Sequence, residues 1–130
     1  MFHRIRPLAA GLCLMLLVAA APVRAETVQV FAHLFVIPVA LPDGSDAAER
    51  ISAFEAWLIE AFGGYTRLGF GAGGWKNESG QPETEANAAY LTTATRDVSK
   101  DLAARMLQDF GMRAPYVLVF PAGAFAMRGQ

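Results

Sequence analysis

An α+β sandwich of β-α-β-β-α-β order is predicted by three observations. Residues 28–37, VQVFAHLFVI, form an almost unbroken apolar run rich in Val, Phe and Ile, as in a central strand. Residues 47–62 and 97–110 carry apolar side chains at helical spacing. Strand-like segments at 65–71, 86–95 and 115–120 fall after the first helix, next to it in sequence, and after the second helix. Four antiparallel strands with two helices on one face are the ferredoxin-like βαββαβ solution of that order. The first and last strands are expected to form the middle pair. The competing reading, an open α/β fragment, needs more residues than the chain offers.

Each element has its own local signal. Pro38 ends the first strand, and ALPDGSD (40–46) is a loop by composition. In the first helix Ile51, Phe54, Leu58 and Phe62 share one face. Asp46 with Glu49 has the spacing of a capping box, Ser45 is a competing cap, and Gly63-Gly64 supply the stop. YTRLGFG alternates as a strand. GAGG (71–74) and the turn Asn77-Glu78-Ser79-Gly80-Gln81-Pro82 read as a long connection to the third strand. Val98, Leu102, Met106 and Phe110 mark the second helical stripe. Thr95 or Asp97 can cap it, and Gly111 ends it. Pro115 opens the last strand at a position where no ladder bond is lost, and the tail beyond Pro121 reads as loose.

Residues 1–25 have the pattern of a secretory signal: Arg4 and Arg6, an uncharged run from Leu8 to Ala21, then Val23-Arg24-Ala25. The run is too short for a spanning helix, which needs about 20 apolar residues. Cys13 lies inside it, preceded by Leu12 where a lipid-attachment signal would carry a small residue. Cleavage after Ala25 would leave residues 26–130 as one domain, periplasmic or secreted. It would remove three of the 11 basic groups and no acid, leaving a net charge of −4 with histidine neutral, no cysteine, and His33 alone of the two histidines. Disulfides and thiolate chemistry then leave the list of possibilities. One histidine is too few for a two-histidine metal site, and no cofactor motif is present. GAGG lacks the Lys-Ser/Thr of a phosphate loop and follows the wrong strand for a dinucleotide loop, so it reads as a bulge or flap. Aromatics on a four-stranded sheet would suit an RNA-recognition module, but the acidic balance and the export signal argue against nucleic acid.

Alternation divides the strands into two faces. Val30, Ala32, Leu34 and Val36, with Val117 and Val119, suit close packing under helices. That assigns Phe31, His33, Phe35, Tyr65, Arg67, Tyr90, Tyr116, Leu118 and Phe120 to the face without helices. So large an apolar surface requires cover, and a homodimer through the sheet face is expected. A cleft for a small anionic or oxygenated ligand is compatible with that dimer. His33 is the candidate catalytic base. Arg67 is the candidate anion holder, with an ion pair to Glu85 across the hairpin as its structural alternative. Tyr65 and Tyr90 are candidate hydrogen-bond donors, and Trp75 packs over a pocket or over the sheet edge. Glu83 and Glu85 are expected to face solvent. Two functions follow: an exported dimer that binds a small molecule or another exported protein, or a small cofactor-independent enzyme, isomerase or oxygenase-like, with His33 as base.

Gly63-Gly64-Tyr65-Thr66, then Gly71, Gly74-Trp75, Gly80 and Glu85, resemble a small bacterial family of uncharacterised ferredoxin-like proteins. In these a GG(F/Y)T phrase opens the second strand and a G-W-x-x-x-x-G phrase occupies the hairpin. The resemblance spans about residues 28–120. It implies the same fold and a small-molecule or assembly role, and it assigns no catalytic residue.

Overall fold

The computed structural model describes residues 26–126. The predicted signal segment and Met127 lie outside them. The described chain runs β1 (Glu26–Pro38), α1 (Ala48–Phe62), β2 (Thr66–Lys76), β3 (Pro82–Ala94), α2 (Ser99–Phe110), β4 (Val117–Ala126). This is the ferredoxin-like sandwich, a four-stranded antiparallel sheet with both helices on one face.

The strand order is β2-β3-β1-β4, so β1 and β3 form the middle pair, not the first and last strands. The cause is topological. The crossover through α1 carries the chain past one vacant strand position, and β3 folds back from β2 into that gap. β4 then pairs with the remaining edge of β1.

Three strands extend well past the ends the sequence suggests. Residues 72–76 and 82–85 are ladder, with Gly71 opposite Asn87 and Gly73 opposite Glu85. GAGG is therefore part of β2 and no loop. Low intrinsic propensity is overridden by pairing along a hairpin closed by the Asn77–Gln81 turn, where Asn77 Oδ1 accepts from the N–H groups of Ser79 and Gln81. The register shift lies just upstream, between Arg67 and Gly69. There Gly69 adopts φ +148°, which side-chain-bearing residues rarely enter. β4 continues through Pro121 to Ala126 because β1 offers it partners as far as Glu26.

The helices begin and end close to their sequence signals. Asp46 Oδ1 accepts the N–H of Ala48 at 2.6 Å, and Asp97 Oδ1 accepts that of Ser99 at 2.8 Å, but the capping positions are Ala47 and Val98, which offer no side-chain cap, so the expected Asp46–Glu49 capping box does not form. Gly63 and Gly111 close the two helices in left-handed conformation. Ile51, Phe54 and Leu58 of α1 and Leu102, Met106 and Phe110 of α2 are buried against the sheet.

What they are buried against corrects the face assignment. Phe35, Ile37, Ala88 and Tyr90 belong to the core under the helices. Phe35 stacks on Tyr90 at 5.7 Å and meets Phe54 edge-on at 6.0 Å, and Phe54 in turn meets Phe110 at 5.4 Å. His33 lies on the same face and is fully buried. The bulky set fills the space between the layers because burying an aromatic side chain removes roughly 150–250 Å² from water. Val30, Ala32, Leu34 and Val36 therefore take the face without helices. Only the β4 part of the assignment stands, since Leu34 pairs with Leu118 and Ala32 with Phe120 on that open face.

Candidate functional site

Two groups of polar side chains lie on the helix side of the sheet, and the open side carries a third surface. The first group is built around Glu55 of α1. This residue occupies the buried stripe, four residues after Ile51 and three before Leu58, so its carboxylate is carried down onto β2 and β3. It accepts a hydrogen bond from the Tyr90 hydroxyl at 2.6 Å and from Arg67 Nε at 3.0 Å, and it pairs with Arg67 Nη2. Arg67 Nε also donates to the Tyr90 oxygen at 3.1 Å. The guanidinium carbon lies 5.4 Å from the Phe70 ring centroid and 5.9 Å from that of Tyr90. Tyr65 packs against Tyr90 with ring centroids 5.7 Å apart.

The three predicted ligand-binding residues Tyr65, Arg67 and Tyr90 are thus together, but they converge on Glu55. Arg67 pairs with Glu55 and not with Glu85. Burial of the Glu55 carboxyl acts to raise its pKa, yet the hydrogen bonds from Tyr90, Arg67 and Tyr65 prevail and hold it below the ordinary 4.5. Burial, followed by the bond to Glu55, pushes Tyr90 well above its ordinary 10. Tyr90 therefore keeps its proton and donates it to the carboxylate throughout the physiological range.

The second group surrounds His33. Its Nε2 lies 3.0 Å from the backbone N–H of Val98, which donates to it, and 3.4 Å from Asp97 Oδ1. Nδ1 is buried without a partner. Hydrogen bonds from Ser99, and to a lesser degree His33, hold the Asp97 carboxyl below its ordinary value. Thr92, opposite His33 in the ladder, ties β3 to the turn before β2 by donating to the Gly64 carbonyl at 2.7 Å. This pair of a buried His33 and a half-exposed Asp97 has the composition of a catalytic dyad, with Asp97 close to one ring nitrogen and the other unpaired. It stands apart from the Glu55 group, and His33 and Arg67 do not converge.

The open face is the third surface. Paired positions place Val28, Val30, Ala32, Leu34 and Val36 of β1, Leu91 and Ala89 of β3, and Leu118, Phe120 and Ala122 of β4 side by side, with Thr66 and Thr93 and with no charged residue among them. Leu118 and Phe120 are each 43% exposed. Trp75 lies beyond this patch on the far half of the β2–β3 hairpin, opposite Glu83. No helix among the described residues is long and apolar enough to cross a membrane. Among the described residues no three His, Cys, Asp or Glu side chains gather as a metal site would require.

No protein-family model and no curated protein matches the chain. Among solved structures it is similar to a Bacillus cereus protein related to NIF3, with a TM-score of 0.55 and 12% sequence identity, over 78% of this chain and 28% of that one. The chain thus spans less than a third of that protein's length. At this identity the likeness is one of fold alone.

Glu55 and Asp97 were the residues that sequence reasoning did not place in a site. For Glu55 the signal was available as a carboxylate inside an otherwise apolar helical stripe. Glu55→Gln should cost about 1–2 kcal/mol at neutral pH, since a charged hydrogen-bond acceptor becomes a neutral one and half-exposed Arg67 keeps other solvation. Because the folded-state carboxyl titrates below 4.5, its contribution is complete above that pH and is lost as the pH falls below it. Urea unfolding at pH 7 and pH 3 should therefore show a smaller acid-induced loss of stability in Glu55→Gln than in the wild type. An equal loss would mean that Glu55 carries none of the acid sensitivity.

Proposed function

We propose that the protein is a binding module whose working surface is the open sheet face, and that the first occupant of that face is a second copy of the chain. The observation that carries this reading is an uncharged patch of Leu, Val and Phe side chains extending across β3, β1 and β4. β1 pairs with β4 from Glu26 to Phe35 and with β3 from Phe31 onward, while β2 reaches this region only at Thr66 and Arg67, so the face is at most three strands wide along most of its length. Two such sheets packed face to face would bury Leu34, Leu91, Leu118 and Phe120 between helical outer layers. An exported setting would suit such a dimer, with a further exported protein or a small molecule as its client. Leu118→Glu introduces a charge at an exposed position and should leave the fold intact. Native mass spectrometry is expected to give a two-copy mass for the wild type and a one-copy mass for the variant. A wild-type monomer at micromolar concentration would contradict the reading.

A second reading is favoured by the His33–Asp97 pair. In it the protein is a cofactor-independent enzyme, Asp97 accepts from Nε2–H, and the free Nδ1 lone pair removes a proton from a substrate admitted between the sheet and α2. The tautomer separates the two readings. If His33 serves to cap α2, Nε2 accepts from Val98 and the proton sits on Nδ1. If His33 is an oriented base, the proton sits on Nε2. Nitrogen-15 NMR of the neutral imidazole distinguishes these forms. The binding reading expects the Nδ1–H tautomer, and finding Nε2–H would transfer the weight to the enzyme.

A further inference from the structure

The outer edge of β2 is a feature that neither reading uses. β2 stands at one end of the order β2-β3-β1-β4 and runs for 11 residues. Among the described residues only β3 pairs with it. Every second residue therefore turns its N–H and C=O away from the sheet, with no strand to receive them. Edge strands are ordinarily blunted by proline, by charge or by shortness. β4, the opposite edge, carries Pro121 within its ladder to β1. From Leu68 to Trp75, β2 has no proline and no charged side chain. Its irregularity, the shift between Arg67 and Gly69, lies at the start of that segment. Leu68, Phe70 and Trp75 are all exposed. An edge this long, apolar and unguarded is a template for another strand.

The sequence of that edge is complementary to itself. When a second β2 is laid antiparallel with Ala72 opposite Ala72, Phe70 falls opposite Gly74 and Trp75 opposite Gly69. Each copy makes both pairs. An aromatic side chain across from a glycine covers backbone that the glycine leaves bare. At Gly69 the point where a Cβ would stand has nothing within 4 Å beyond its chain neighbours, so an indole has room there. Sliding one copy by two residues breaks the match. With Gly71 opposite Gly71, Trp75 meets Arg67; with Gly73 opposite Gly73, Phe70 meets Lys76. Charge agrees with the Ala72 register, because Lys76 then faces Leu68 and meets no other cation.

We propose that β2 pairs antiparallel with β2 of a second copy, centred on Ala72, so that two four-stranded sheets join edge to edge with both open faces on the same side. The contact uses no residue of the apolar patch on β3, β1 and β4, so it does not depend on what covers that patch. A contact one strand deep belongs to the small interfaces, below roughly 1,200 Å², that form transient encounters. The pairing therefore forms at millimolar and not at micromolar concentration.

The test mixes isotope-labelled and unlabelled full chain, both carrying Leu118→Glu to remove the face contact, and records nuclear Overhauser contacts between copies at millimolar concentration. Cross-peaks from the Trp75 indole to the Gly69 α protons and from the Phe70 ring to the Gly74 α protons are expected, fading on dilution. Ala72 is exposed, so a charge there leaves the fold intact and stands opposite its own copy on the two-fold axis. Ala72→Lys alone and Ala72→Glu alone should each weaken the pairing at least threefold, and an equal mixture of the two should restore it. Contacts between copies in another register, or contacts unchanged in both variants, would overturn the proposal. So would their absence at millimolar concentration, which would leave the edge to an extended segment of a different protein.

Discussion

The aromatic layer between sheet and helices is the constraint on which the rest of this molecule depends. Phe35 and Tyr90 face each other across the central strand pair and stack. Phe54 of α1 closes over Phe35, and Phe110 of α2 packs on Phe54. Once those rings are placed, strand alternation leaves no freedom. His33 and Ile37 must follow Phe35 under the helices, and Leu34 and Val36 must turn to the other side. A one-residue slip of β1 would exchange the two sets and place His33 in water. The position of the candidate dyad and the composition of the bare face are therefore two consequences of one packing decision.

The same decision determines how each polar group is reached. Glu55 lies on the buried stripe of α1 and has to be neutralised there, because a lone carboxylate 13% exposed would be costly. Arg67 and Tyr90 provide that neutralisation. Both arise from the edge half of the sheet, so the network joins α1 to β2 and β3 where the core thins toward solvent. His33 lies two residues along β1 from Phe35, the partner of Tyr90, against the first turn of α2. In neither case is the polar group an addition to the fold, since each ties a helix to the strand beneath it. The open side contains nothing comparable. Its β1 and β4 residues are apolar from Val28 to Leu34, and charge appears farther along the sheet on the hairpin that extends past β4, where Glu85 stands.

Much of the architecture was legible in the sequence for identifiable reasons. Ile51, Phe54 and Leu58, and again Leu102, Met106 and Phe110, announce their helices by spacing alone. Gly63 and Gly111 mark their ends because a left-handed residue is needed there. Strand order was not legible, since the choice of β3 over β4 as the partner completing the centre depends on contacts far apart along the chain. Faces were not legible either. Leu34 and Phe35 are both apolar, and an alternation of apolar with apolar carries no sign. In β4 the phase read from the sequence agrees with the structure for Leu118 and Phe120, whereas β1 presents the opposite phase. The glycine segment misled for a different reason, because the ladder to β3 compensates for residues that would not form a strand on their own. Among the site residues, the grouping of Tyr65, Arg67 and Tyr90 was legible from strand phase, whereas Glu55 at its centre belongs to a helix and enters only through packing.

The central claim is that the aliphatic side of the sheet, and not its aromatic side, is the surface offered to a partner. Methyl NMR with a soluble paramagnetic agent tests it most directly. Leu58 and Leu102 provide the buried reference and Leu107 the exposed one. The account predicts that the methyl signals of Leu34, Leu91 and Leu118 are shielded in the wild-type protein almost as well as those of Leu58, although no helix covers them. Broadening of all three to the level of Leu107 would contradict it.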